Sequence, residues 1–182
     1  MTVSRRGLIT GLAATGAATG LGSRAIAAHQ IGWPVREKKL SFQSIHTGEK
    51  VTATFWYEGQ FVPEGLAEID HVLRDWRTGD KRAMDPELLE DLFALTQVLD
   101  NPGTFEVISG YRSPKTNAML AEKSSGVAKQ SFHIQARAID IGLPQFGTEK
   151  LYKAVKSMNC GGVGLYTSSD FVHVDTGPVR HW

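Results

Sequence analysis

In "SFHIQARAIDIG", residues 131 to 142, His133 and Asp140 stand seven positions apart in a run that is otherwise mostly apolar. A second run, "SDFVHVDTG" at 169 to 177, sets His173 between Asp170 and Asp175 and among valines. Segments of this composition suit burial, and a buried imidazole or carboxylate is costly unless it is paired or bound to a metal. The fold has to supply those partners, and the simplest arrangement brings both runs to one site.

Alternation along "DFVHVDT" places Phe171, His173 and Asp175 on one face of a strand and Val172 and Val174 on the other. The valines then face the core, and the polar face looks into a cleft. Asp170, at the mouth of this strand, reaches the same point as His173 only if the chain bends there, which "TSS" permits. A nucleophile explains the set less well than a metal. The sequence has no Gly-x-Ser-x-Gly elbow, and Cys160 lies between Asn159 and Gly161 with no histidine near it. Two histidines and one carboxylate form a catalytic zinc set that leaves a fourth position for water, whose pKa falls toward about 7. Such chemistry needs one more acid than the ligands, and Asp170 or Asp175 can supply it. Each residue alone has a plainer account: a structural histidine, a capping aspartate or a salt-bridged arginine.

Composition narrows the class. The chain has 182 residues, 41% hydrophobic and 21% charged, which fits one soluble domain and neither a disordered chain nor a membrane bundle. A net charge of +1 without a long basic run argues against a nucleic-acid partner. A single cysteine, Cys160, excludes an internal disulfide and a multi-cysteine zinc cluster. Residues 1–28 read as an export signal and not as fold. Arg5 and Arg6 precede a short Ala/Gly/Leu-rich run that ends in Ala25-Ile26-Ala27, a small-residue cleavage pattern. The arginine pair resembles the Tat signal, whose machinery exports folded proteins to the periplasm. Cleavage leaves a single domain at 29–182 with 17 basic and 19 acidic residues, and no stable membrane span.

Residues 38 to 57 predict a β-hairpin, with His46 and Glu58 as surface or turn residues. Leu66, Ile69, Leu73 and Trp76 follow the spacing of one helix face over 63 to 76, with His71 solvated. Asp85-Pro86 opens a second helix through Leu88, Leu89, Leu92, Leu95 and Leu99. "TFEVIS" predicts a strand, Ser113-Pro114 caps a helix to about Lys123, and "IQARAIDIG" is strand-like. Thr148 caps a last helix, and "GVGLY" and "DFVHVDT" pair antiparallel. The order predicts an α+β fold, a small antiparallel sheet with packed helices.

These residues carry a family resemblance. "SFHIQARAIDIG" resembles the pattern Ser-x-His-x-x-Gly-x-Ala-x-Asp of the M15 zinc peptidases, the D-alanyl-D-alanine peptidase group, with Ser131 and Ala138 in place. The resemblance implies His133 and Asp140 as the first two zinc ligands and His173 as the third, one Zn(2+) per chain. Asp170-Phe171-Val172-His173 resembles the family's acid-x-x-His pattern and implies Asp170 as general base. "SGYRS" implies Arg112 facing the substrate's carbonyl or carboxylate, while Ser131 and Asp175 stand as candidates beside ligands or substrate. The match covers 104–182 and implies a hedgehog/D-Ala-D-Ala peptidase-like zinc fold. Its signal and the ending "FVHVDTGPVRHW" are most similar to the DUF882 branch of periplasmic murein endopeptidases. One departure is Ala136 in place of the family's glycine, expected to narrow the pocket beside the zinc.

The expected function is zinc-dependent hydrolysis of peptide cross-links in peptidoglycan, its peptides being the substrate. A D-alanyl-D-alanine-type carboxypeptidase shares every motif and differs in how closed the cleft is. A non-catalytic zinc-bearing cell-wall module has no use for the acid at Asp170. The motifs leave open whether an L,D or a D,D bond is cut.

Overall fold

Alternation builds the first hairpin: Leu40 and Phe42 on one strand and Ala53 and Phe55 on the other turn the same way and are buried. A computed structural model describes residues 35–100, 102–123, 128 and 130–182; the expected export signal at 1–28 lies outside them. The hairpin strands are β1 (Glu37–Ser44) and β2 (Lys50–Tyr57), followed by a short β3 (Gln60–Phe61). Its turn holds Gly48 at φ 74°, a conformation glycine adopts without steric cost.

Helix α1 runs Pro63–Val72 and stops earlier than the spacing predicts. Leu73 caps it, so Trp76 leaves the helix face and stacks on His46 at 4.2 Å between ring centres. Helix α2 (Pro86–Val98) starts as predicted, with the Asp85 carboxylate accepting the Glu87 N–H at 3.1 Å and Pro86 in the first turn. Strand β4 (Phe105–Ser109), helix α3 (Pro114–Lys123) and strand β5 (Ala138–Gly142) follow. The segment before β5 is not extended: Phe132–Gln135 form a 3₁₀ turn whose N-cap Ser131 accepts the His133 N–H. Helix α4 (Thr148–Met158) has Gly147 at its N-cap; Thr148 is already helical, and its hydroxyl serves Asp170 instead. Strands β6 (Gly162–Tyr166), β7 (Phe171–Asp175) and β8 (Arg180–His181) complete the order.

The eight strands of the described residues join one sheet in the order β3-β2-β1-β4-β5-β7-β6-β8. The α+β expectation holds, with a larger sheet than expected and two parallel pairs, β1 with β4 and β6 with β8. Val172 and Val174 enter the core with Leu151 and Val155 of α4, as alternation predicts. The opposite face carries the polar residues. Register fixes one row across four strands there: Ser109 opposite Asp140, Asp140 opposite His173, and His173 opposite Gly164. Among the described residues, no helix is long and apolar enough to cross a membrane.

Two aspartates, the half-buried Asp85 and the buried Asp75, tie the helices to this face. Asp85 donates its N–H to the Ala136 carbonyl at 2.9 Å and accepts the Thr176 hydroxyl at 2.7 Å. Asp75 accepts the Ser113 N–H at 2.9 Å and the Arg77 N–H at 3.0 Å, fixing the start of α3 beside Arg112. Burial pushes the Asp75 carboxyl up, but hydrogen bonds from Ser113, Thr116 and Arg77 outweigh it and hold it below its usual value. Asp75→Ala orphans the Ser113 N–H and should destabilise the fold by about 1–3 kcal/mol in urea denaturation. Because the folded pKa is depressed, the wild-type advantage is full above the ordinary value of 3.8. It fades as pH falls through the folded value.

Candidate metal centre and active-site cleft

Three buried donors converge at the middle of the polar row: His133, Asp140 and His173. Nε2 of His133 lies 3.3 Å from Nδ1 of His173 and 3.3 Å from Oδ1 of Asp140, and Nδ1 of His173 lies 2.8 Å from the same oxygen. Donors about 2.0–2.1 Å from one tetrahedral ion stand about 3.3 Å apart, so the triangle fits a metal with little adjustment. The outer nitrogens support the same reading. The His133 Nδ1–H donates to the Gly110 carbonyl at 2.8 Å, and the His173 Nε2–H donates to Asp175 at 2.8 Å. Each bond leaves the inner nitrogen with its lone pair facing the other donors, the arrangement that metal-bound histidines adopt.

Local structure explains how the sequence achieves this. Asp140 and His173 are cross-strand partners on β5 and β7. His133 arrives from the 3₁₀ turn, which interlocks with the "SGYRS" turn. The Arg112 N–H donates to the His133 carbonyl at 3.1 Å while the His133 ring returns a bond to Gly110. A side chain at Gly110 would meet the Leu73 carbonyl at 2.4 Å, so only glycine lets this turn approach the end of α1. Ala136 ends the 3₁₀ turn at φ 57°, in the left-handed region, and is fully buried. It does not line the cleft, so replacing the family's glycine acts on backbone conformation, at a cost of about 1–2 kcal/mol, and not on pocket width.

Charges at the centre are strongly coupled. Burial disfavours a charged Asp140, but His133 and His173 outweigh it and hold the carboxyl well below the usual range. Burial likewise opposes a proton on His173, yet its bonds to Asp140 and Asp175 prevail and raise its pKa to about 9 in the metal-free chain. Asp175 is fully buried behind His173 and receives two bonds from the Arg180 guanidinium, at 3.0 and 2.7 Å. It thereby backs the His173 ring, and no sequence motif marks Arg180.

The triad opens into a cleft of about 410 Å³ walled by Arg112, Ser131, Phe132, Tyr166, Arg180 and Trp182 among others. Arg112 reaches in from its fixed turn, 3.3 Å from the Ser109 hydroxyl and 3.7 Å from Asp140. Its Nε is buried without a hydrogen-bond partner among the described residues, and burial pulls its pKa down while Asp140 pushes it back up. Asp170 is the one predicted site residue that lies elsewhere. It is exposed in the left-handed region at φ 53°, its carboxylate accepts the Thr148 hydroxyl, and it borders a separate cavity beside α4. His181 is exposed on β8. Tyr166 and Trp182 were missed in the sequence, although the alternation of "GVGLY" places Tyr166 on the face of Gly164.

A family model described as peptidoglycan L,D-endopeptidase MepK, within peptidase family M15, matches residues 34–182. The chain belongs to this family. It is 40% identical over 147 residues to the peptidoglycan L,D-endopeptidase MepK of Escherichia coli (strain K12), covering 81% of each chain. The probable peptidoglycan L,D-endopeptidase MepK of Haemophilus influenzae is 42% identical over 144 residues, covering 79% of this chain and 77% of the relative. The peptidase fold therefore carries in this chain a His-Asp-His group able to hold a metal ion.

Two variants separate ligand from support. His173→Ala should abolish stoichiometric metal binding by elemental analysis. Asp175→Asn keeps the side-chain shape but weakens the hold on the His173 ring, and should lower metal affinity about 10–100-fold in a chelator competition.

Proposed function

We propose that this chain is a zinc-dependent murein endopeptidase that hydrolyses the L,D bond of peptidoglycan cross-links in the periplasm. The convergence of His133, Asp140 and His173 in an open cleft carries the reading, in a chain 40% identical to L,D-endopeptidases. His133, His173 and Asp140 would hold one zinc, which would supply the Lewis acidity of a hydrolytic centre. The twin-arginine pattern at Arg5-Arg6 supports export of the folded chain by the Tat machinery.

The protein's own groups do the rest. Arg112 offers a planar pair of N–H donors to the scissile carbonyl, and its half-satisfied, buried guanidinium is held ready for charge that develops there. Asp170 is proposed as base on its spacing from His173. At rest its carboxylate is turned to Thr148, so it must leave that hydroxyl and turn inward when substrate enters. The similarity to L,D-endopeptidases favours a cross-linked peptide, which continues on both sides of the bond, over the one-sided substrate of a carboxypeptidase.

Purified murein digested with the protein should release the monomers of L,D-linked dimers on chromatography. Release of terminal D-alanine alone would assign the carboxypeptidase activity, and no release with zinc bound would assign a binding module. Arg112→Lys keeps charge and loses the fork, so it should retain zinc and melting temperature while turnover falls sharply. Asp170→Asn should lower turnover by about 10²- to 10⁴-fold with zinc retained. Wild-type turnover in that variant would move the base role elsewhere.

A further inference from the structure

Beyond the zinc ligands and Arg112, one wall of the cleft is built with unusual care. Gly164 faces His173 across β6 and β7, and a side chain there would strike the Trp182 indole at 2.6 to 2.7 Å. The glycine leaves a slot, and the Trp182 ring lies in it, 5.4 Å from the His173 ring between centres. Backbone bonds on both sides seat the tryptophan: its N–H donates to Val163 at 3.2 Å and its carbonyl accepts from Leu165 at 2.9 Å. From this slot the indole N–H donates to the Tyr166 phenol oxygen at 2.9 Å. Tyr166 stacks on its cross-strand partner Phe171, with ring centres 4.5 Å apart and planes 16° from parallel.

The chemistry of this pair is directional. An indole nitrogen only donates, so the phenol oxygen must be the acceptor. The Tyr166 O–H is then left to point elsewhere, and among the described residues it donates to nothing. The ring stack fixes its plane, the indole fixes its oxygen, and Tyr166 lines the same cleft as His133, Asp140, His173 and Arg112. Arg112 is also near enough to feel the Tyr166 oxygen electrostatically. A cross-strand aromatic pair alone would stabilise the sheet as well with phenylalanine at 166. The hydroxyl and the glycine slot that seats its partner are in excess of that need.

We propose that Tyr166 is a catalytic residue whose hydroxyl donates a hydrogen bond to the scissile carbonyl oxygen opposite Arg112, and that Trp182, seated by Gly164, is the positioning residue that aims it. This rests on the reading of the chain as a murein endopeptidase and adds the second donor of its oxyanion site. Arg112 follows β4 and Tyr166 ends β6, the strands at the two ends of the polar row, and both side chains line the cleft. An oxygen that gains charge during attack is held by both, which is where preorganised donors act most strongly.

The test compares the full-chain wild type with Tyr166→Phe, Trp182→Phe and the double variant, each checked for zinc content and melting temperature. Substrates are cross-linked muropeptide dimers purified from murein and, separately, D-alanyl-D-alanine-terminated peptides. Tyr166→Phe should lower kcat about 10²- to 10³-fold with KM near wild type and zinc unchanged, as for loss of a donor used only in the transition state. Trp182→Phe should lower kcat less, and the double variant should be no slower than Tyr166→Phe, because the indole acts through the lost hydroxyl. Wild-type kcat in Tyr166→Phe, or a loss that follows zinc content, overturns the catalytic role. Multiplying losses in the double variant overturn the positioning role of Trp182. A wild type active only on the D-alanine-terminated peptides refutes the L,D reading while the same comparison still decides Tyr166. A zinc-loaded wild type inactive on both substrates overturns reading and inference together.

Discussion

Asp140 facing His173 across β5 and β7 is the contact on which the cleft is organised. Removing a carboxylate and an imidazole from water costs several kcal/mol, and their mutual attraction returns that only with good geometry and further partners. Both conditions are met. His133 closes the triangle, Asp175 backs His173, and Arg180 backs Asp175. The chain of charges runs from the core to the cleft wall without an unpaired carboxylate. The same register that pairs these charges also forms a group able to hold a metal ion.

Around that contact, backbone contributes as much as side chains. Two turns far apart in sequence, around Gly110 and around His133, exchange hydrogen bonds in both directions. Neither His133 nor Arg112 is therefore carried by a free loop. The left-handed Ala136 shows how much local cost the arrangement tolerates once its N–H and carbonyl are both engaged, by His133 and Asp85.

The sequence made the triad legible because its residues stand in two short runs whose polarity conflicts with their surroundings. Alternation correctly separated His173 and Asp175 from Val172 and Val174. Spacing could not give direction. Asp170 lies three residues before His173 as the family pattern asks, yet a left-handed turn at φ 53° aims its carboxylate at Thr148. Trp76 failed for a related reason: α1 ends at Val72, and helical spacing beyond that point has no helix to act on. Tyr166, Arg180 and Trp182 were illegible because their roles depend on strand register. Gly164 matters only once it is known to sit opposite His173.

Asp85 gives the architecture one more meaning. It begins α2, binds the carbonyl of Ala136 next to the His133 turn, and receives the hydroxyl of Thr176 just past β7. The runs that carry the metal-binding group and Arg112 all fall after residue 104, which invites treating that half as a portable cassette. The aspartate denies it that independence. The helical half is a jig for the catalytic half, so a graft of the motif-bearing segment onto another scaffold would carry the letters of the site without its alignment.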